Sequence, residues 1–366
     1  MLTFAMLIAC TPKTVEPSTT AMNVVEPTPT DRPDPVPPMT PEERPAPGRL
    51  AADDPGWNYQ GRIDHQDPSA PLLIWSGSRI EGTIDATSIT AHLEATGETW
   101  INVYLDGGLP TVVRLEEGLR DVTIGRALAP GPHTLRITKR TEATDGTLRF
   151  HGVTADGTLR PMAEPPFGIE FYGDSITSSY SIECACDEGL PRYKNFDQSY
   201  GALTAAAFGA EARAISLSGI GIVRSWWAED MLDHWNGLQL GDGAWDFFWQ
   251  PEVVVVNLGQ NDYWLGADAK VRSGYTELHG ELRAVYPDAD ILFALGDMNA
   301  VASDSPMPGY VRDVVDALTV DGDARVHALV FDYNGHGRHP EVADHRVMAD
   351  ALIAKIREIR PDLAPQ

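Results

Sequence analysis

Four short segments carry the side chains that acyl transfer needs. Gly173-Asp174-Ser175-Ile176-Thr177 sets a serine on a tight turn, where its hydroxyl can act as nucleophile and its own N–H can face an oxyanion. Ser218-Gly219-Ile220-Gly221 supplies glycines, which permit φ > 0 and let an N–H point at a ligand. Gly259-Gln260-Asn261-Asp262 supplies the amide of Asn261, a neutral donor suited to a developing alkoxide. His336-Gly337-Arg338-His339-Pro340 supplies an imidazole at His339, just before a proline suited to a helix start. Each segment alone reads equally well as an ordinary turn. Together they give a nucleophile, an N–H donor, an amide donor and a base. Thr177 stands where an α/β-hydrolase elbow would need glycine, which disfavours that fold. Asp174 and Asp262 flank these residues and are read as turn-stabilising. His336, His339 and His345 match no zinc spacing, so no metal is expected.

These segments need a frame that brings them to one edge. After Pro166 five apolar runs appear: Ile169 to Tyr172, Ala212 to Leu217, Val253 to Leu258, Ile291 to Leu295 and Val326 to Phe331. Val253-Val254-Val255-Val256 is continuously apolar, as a strand covered on both faces must be. Helical segments lie between the runs. In the last one Val342, His345, Ala349, Leu352, Ile356 and Ile359 form one stripe, so His345 is read as a core residue. Alternating strands and helices predict a parallel sheet with helices on both faces, with ligands bound beyond the carboxyl ends of its strands. The four segments follow the first, second, third and fifth runs.

From about Gly61 to Gly157 the period is two instead. It recurs in Ile80 to Ile84, Ile89 to Leu93, Thr111 to Leu115, Thr134 to Lys139 and Thr147 to Val153. Short strands broken by Gly, Asp and Pro predict a β-sandwich. The expected architecture is thus a β-sandwich over 57–160 and an α/β domain with a parallel sheet over 166–366.

The chain of 366 residues carries 28 Lys plus Arg and 53 Asp plus Glu, a formal charge of −25. That balance argues against a nucleic-acid partner and against electrostatic docking on anionic lipid. Residues 11–50 hold 11 of the 28 prolines and few large apolar residues, the composition of an extended, disordered tether. Ahead of it, Leu7-Ile8-Ala9-Cys10 ends an apolar run too short to span a bilayer. It reads as a lipoprotein cleavage box over residues 1–10, with lipidation at Cys10. The expected location is the cell envelope or outside it, with the membrane met only through that anchor. Cys184 and Cys186 can bridge or remain thiols; the spacing does not choose.

The four segments resemble the blocks of the SGNH (GDSL-type) hydrolases, with Ser175, Gly219, Asn261 and His339 at the four named positions. Upstream, Gly61-Arg62-Ile63-Asp64, Trp75-Ser76-Gly77-Ser78, Asp106-Gly107, His133-Thr134-Leu135 and Lys139-Arg140-Thr141-Glu142 are similar to the β-sandwich of carbohydrate esterase family 2. The resemblance implies a jelly roll joined to an SGNH domain, with deacetylation of polysaccharides such as acetylxylan or glucomannan and no cofactor. It implies Ser175 and His339 as catalytic residues and Ser175, Gly219 and Asn261 as the oxyanion hole. Position 336, where many SGNH enzymes carry an aspartate, is histidine. A Ser–His dyad is therefore expected, with a backbone carbonyl orienting the imidazole and Asp332 as an outside alternative. Tyr263 and Trp264 are the first choice for a sugar platform, Trp226 and Trp227 the second. The competing readings are an SGNH esterase acting on lipid or on the cell's own envelope glycans, and a non-catalytic carbohydrate-binding surface protein.

Overall fold

A computed structural model describes residues 47–240, 242–266 and 269–363. Cys10 and the tether up to residue 46 lie outside the described residues. Among the described residues no helix is long and apolar enough to cross a membrane.

The first body is two antiparallel sheets. One runs Ile63–Asp64, Leu72–Leu73, Leu148–Ala155, Ile89–Ala95, Gly118–Gly125. The other runs Thr158–Arg160, Arg79–Asp85, Pro132–Lys139, Thr99–Leu105, Thr111–Leu115. All five period-two runs fall in strands, the last of them from Leu148 onward. In Ile89–Ala95 the residues Ile89, Ala91, Leu93 and Ala95 are buried and those between them are not, so one face of the pleat meets the core. That core draws on both sheets: Ile80, Ile84, Leu93, Ile101, Ile137, Leu148 and Phe150 pack together. Asp106 and Gly107 both take positive φ, 53° and 67°, at the centre of a β-turn closed by the Gly108 N–H on the Leu105 carbonyl at 3.0 Å, inside the longer loop between Thr99–Leu105 and Thr111–Leu115. Gly48–Leu50, assigned to the tether by composition, instead pairs antiparallel with Val153–Ala155. Backbone ladder bonds hold it there, with Gly48 and Arg49 exposed and so no apolar signal to read.

The second body is a five-stranded parallel sheet in the order Glu211–Ser216, Gly168–Gly173, Val253–Asn257, Asp290–Leu295, Val326–Val330. Every residue of the first four of these strands is buried. Alternate side chains serve two cores. Val254, Val256, Ile291 and Phe293 pack with Tyr275, Leu278 and Leu282 of the helix Lys270–Val285. Val253, Val255, Leu292 and Ala294 pack with Tyr200 and Phe208 on one helix and Met348, Leu352 and Ile356 on another. This is why the runs are apolar throughout, and why no single face can be read from them. Chain order reverses between Gly168–Gly173 and Val253–Asn257, which opens a crevice at their carboxyl ends.

The two bodies share buried contacts. Leu72, Ile74 and Trp75 of the sandwich belong to the core of the parallel-sheet domain. Arg62, wholly buried, donates to Glu170 at 3.2 Å, to the Trp235 carbonyl at 2.7 Å and to the Tyr172 hydroxyl at 2.5 Å.

Candidate active site

Ser175 and Asn261 follow the two strands that flank the reversal of chain order. Asp174 Oδ1 accepts the Ile176 N–H at 3.0 Å and closes the turn that carries Ser175. Burial, helped by nearby Asp262, pushes the Asp174 carboxyl up to about 7. Asp262 in turn accepts the N–H groups of Ile222, Val223 and Arg224 at 2.8–2.9 Å and so shapes the loop after Gly219.

His339 comes from the loop ahead of the last helix, Val342–Ile359. That helix starts on a capping box in which the Glu341 N–H donates to Asp344 at 2.8 Å. Ser175 Oγ lies 2.8 Å from His339 Nε2. Nδ1 of the same ring lies 2.6 Å from Asp187 Oδ1. Nδ1 faces a carboxylate, which cannot donate when ionised, so Nδ1 carries the proton and Nε2 accepts from the serine hydroxyl. The Tyr180 ring tilts over His339 with centroids 4.3 Å apart.

Asp187 corrects the expected arrangement. A carboxylate, not a backbone carbonyl, meets Nδ1, so the expected dyad has a third member. Asp332 is exposed and does not bond His339. Asp187 also accepts the His339 N–H at 3.2 Å. The histidine bond holds its carboxyl below the usual aspartate range. Asp187 takes φ +57°, and Cys184 and Cys186 immediately before it are joined as a disulfide. The three histidines, which matched no zinc spacing in the sequence, do not converge on one point. His336 faces Asp344 at 3.2 Å, and His345 Nδ1 accepts the Tyr200 N–H at 3.1 Å. His345 is fully buried, and burial drives its imidazole down to about 3, so it is a neutral core residue.

Opposite the histidine lie donors. The backbone N–H groups of Ser175 and Gly219 have no partner among the described residues. Gly219 takes φ +87°. A Cβ there would be strained by this φ and would crowd Trp227 Nε1 at 3.2 Å and Trp226 Cβ at 3.3 Å, which favours glycine. Asn261 is buried beside them. One proton of its amide goes to the Ile220 carbonyl at 2.7 Å, and the other faces Asp174 Oδ2 at 3.5 Å, a weak bond. Trp226, Trp227 and Trp264 are 65%, 47% and 41% exposed. Trp264 stands edge-on to His339 at 6.4 Å. Tyr263, its expected companion, instead packs part-buried against the core.

Asp187 and Glu142 escape sequence reasoning. Glu142, from the sandwich, accepts the Ser218 N–H at 2.7 Å and the Ser218 hydroxyl at 2.6 Å. For Asp187 the available signal was a Cys-x-Cys pair set directly before an acid. For Glu142 it was a four-residue block with no partner assigned.

Residues 59–165 match the Carbohydrate esterase 2 N-terminal family, and residues 171–358 match the GDSL-like Lipase/Acylhydrolase family. The chain is 34% identical over 322 residues to the cellulase/esterase CelE of Acetivibrio thermocellus; the alignment takes in 83% of this chain but only 40% of CelE. It is 29% identical over 326 residues to an acetylxylan esterase/glucomannan deacetylase of Cellvibrio japonicus, covering 80% of this chain and 86% of that protein. The solved structure of a family two carbohydrate esterase from Clostridium thermocellum, in complex with cellohexaose, superposes with a TM-score of 0.79 at 33% identity, over 83% of this chain and 98% of that one. Two antiparallel sheets, a parallel sheet with Ser175, Gly219, Asn261 and His339 in the segments that follow its strands, and these matches agree: the chain belongs to carbohydrate esterase family 2, a family of carboxylic ester hydrolases built on a jelly roll and a GDSL-type domain.

Proposed function

We propose that this chain is a serine esterase that removes O-acetyl groups from polysaccharide of the acetylxylan or glucomannan type. His339, held between Ser175 Oγ and the Asp187 carboxylate, is the observation that carries the reading. His339 Nε2 takes the Ser175 proton as Oγ attacks the acetyl carbonyl, and Asp187 stabilises the imidazolium that forms. The unpaired N–H groups of Ser175 and Gly219, with the amide of Asn261, receive the oxyanion. Collapse breaks the bond to the sugar oxygen, which leaves with the proton from His339. Water then attacks the acetyl-serine by the same route and releases acetate. The exposed rings of Trp264 and Trp226 give a sugar flat apolar surface near the nucleophile. The names of the relatives support polysaccharide over lipid as the substrate. The protein is exported and anchored through Cys10, a reading supported by the Leu7-Ile8-Ala9-Cys10 box and by the Cys184–Cys186 bridge, since disulfides persist in oxidising compartments.

Acetate release from acetylxylan and acetylated glucomannan, wild type beside Ser175→Ala, tests the proposal. The variant should lose at least about 10³-fold in kcat with its fold intact. Wild-type release by Ser175→Ala would end the reading. Faster turnover of long-chain nitrophenyl esters than of acetylated glycan would move the substrate to lipid.

A further inference from the structure

The sandwich reaches into the reaction centre through Glu142. This residue follows the strand Pro132–Lys139, and its carboxylate is wholly buried. Each of its oxygens accepts from Ser218: Oε2 from the backbone N–H, Oε1 from the hydroxyl. Lys194 Nζ balances the charge at 2.9 Å from Oε1 and also bonds Asp145 at 2.8 Å. The Glu142 backbone is held as well. Its N–H donates to Asp145 at 2.9 Å, and its carbonyl accepts from buried Lys139 at 2.9 Å. Ser218 is therefore gripped on its N-terminal side by a carboxylate from the sandwich, whose charge Lys194 of the parallel-sheet domain balances.

On its C-terminal side Ser218 is gripped by Trp227, whose indole N–H donates to the Ser218 carbonyl at 2.7 Å. The peptide unit between Ser218 and Gly219 is planar and trans, with its C=O and N–H pointing in opposite directions. Fixing the Ser218 carbonyl thus fixes the direction of the Gly219 N–H, one of the two donors without a partner among the described residues. At φ +87° glycine offers little resistance of its own to peptide rotation, so the aim of this N–H has to be imposed from outside.

We propose that Glu142 and Trp227 are positioning residues that together aim the Gly219 N–H into the oxyanion hole, which makes the β-sandwich part of the catalytic device. The proposal rests on the reading of Gly219 as an oxyanion donor. A preorganised donor lowers the barrier because no reorientation is needed when charge develops. Loss of the aim should therefore appear in kcat rather than in KM.

The test compares Glu142→Gln, Ser218→Ala and Trp227→Phe with wild type and Ser175→Ala on acetylxylan. The second measurement is the affinity of methylboronic acid, whose tetrahedral adduct on the serine puts an oxygen in the hole. The expected result is a kcat lowered on the order of 10-fold to 10²-fold, KM within about twofold, boronate binding weakened by a similar factor and an unchanged pH profile. A rise in KM at constant kcat for Trp227→Phe would overturn the proposal and make Trp227 a sugar platform only. Unchanged kcat and boronate affinity in every folded variant would overturn it as well. Trp227 is half exposed, so Trp227→Phe decides the matter even where Glu142→Gln fails to fold. Residual wild-type activity in Ser175→Ala would instead sink the underlying reading.

Discussion

Asp187 meets His339 from 152 positions upstream in the chain. The position where an acid was sought, three residues before His339, holds His336, which is engaged with Asp344 instead. Ser175, Gly219, Asn261 and His339 were legible because each follows a strand, and a parallel sheet delivers such residues to one edge by topology alone. Asp187 sits in an irregular loop with no period, and its partnership depends on a contact no local pattern encodes. Asp187→Asn should lower kcat about 10-fold to 10²-fold. This is less than the ~10⁴-fold cost at a fully buried triad acid, because the Asp187 side chain is 35% exposed and water can stand in for it. Steady-state kinetics on acetylxylan would measure this, and a kcat within twofold of wild type would remove Asp187 from the mechanism. The sign of its pH effect follows from its depressed pKa. The stabilisation it lends is present above the ordinary aspartate pKa and fades as pH falls through its own lower value. Asp187→Asn should therefore flatten the acid side of the stability curve.

Among the elements, the parallel strands were readable from apolar runs because both their faces are covered. The strand Gly118–Gly125 was not, because most of its side chains are exposed or half-exposed and its Arg120 and Asp121 read as loop. The loop from Ser181 to Leu190 has a harder task, since it must hold a carboxylate against a histidine without help from helix or sheet. The Cys184–Cys186 bridge closes its tightest turn, and the Asp187 N–H returns to the Cys184 carbonyl at 3.4 Å. Glu183, just ahead of the bridge, is anchored to sandwich Arg140 at 2.5 Å and to Asn195 at 2.6 Å. Misplacing a reacting group by an ångström costs up to about 10²-fold, so replacing both cysteines with serine should lower kcat on the order of tenfold. The melting midpoint should hardly move, because so short a loop constrains little of the unfolded chain. The check is kcat and Tm for the double variant beside wild type treated with a dithiol. Equal kcat in all three would show that the bridge does not hold Asp187.

At the scale of the molecule, the sandwich and the parallel-sheet domain are joined by groups that neither can leave unpaired. Arg62 fills a buried site made by Glu170, Tyr172 and two carbonyls of the other domain. Removing one partner of a buried ion pair leaves an uncompensated charge at a cost of about 3–5 kcal/mol. Arg62→Met should therefore lower the urea midpoint of both domains together, in one transition. Two separated transitions, with the parallel-sheet domain at its original midpoint, would show that the halves are independent. The block around Arg62 could be quoted from the sequence, but its reach into the neighbouring core could not, since an arginine reads as surface.

Glu142 carries a consequence for anyone who would splice this hydrolase into a new fusion. A cut between the jelly roll and the sheet that follows it would deliver a nucleophile and base beside an unaimed anion cradle. Swapping in a foreign sandwich would do the same unless it brought an acid to the same spot. Recombination can trade whatever precedes residue 47, but the rest has to be inherited as one piece.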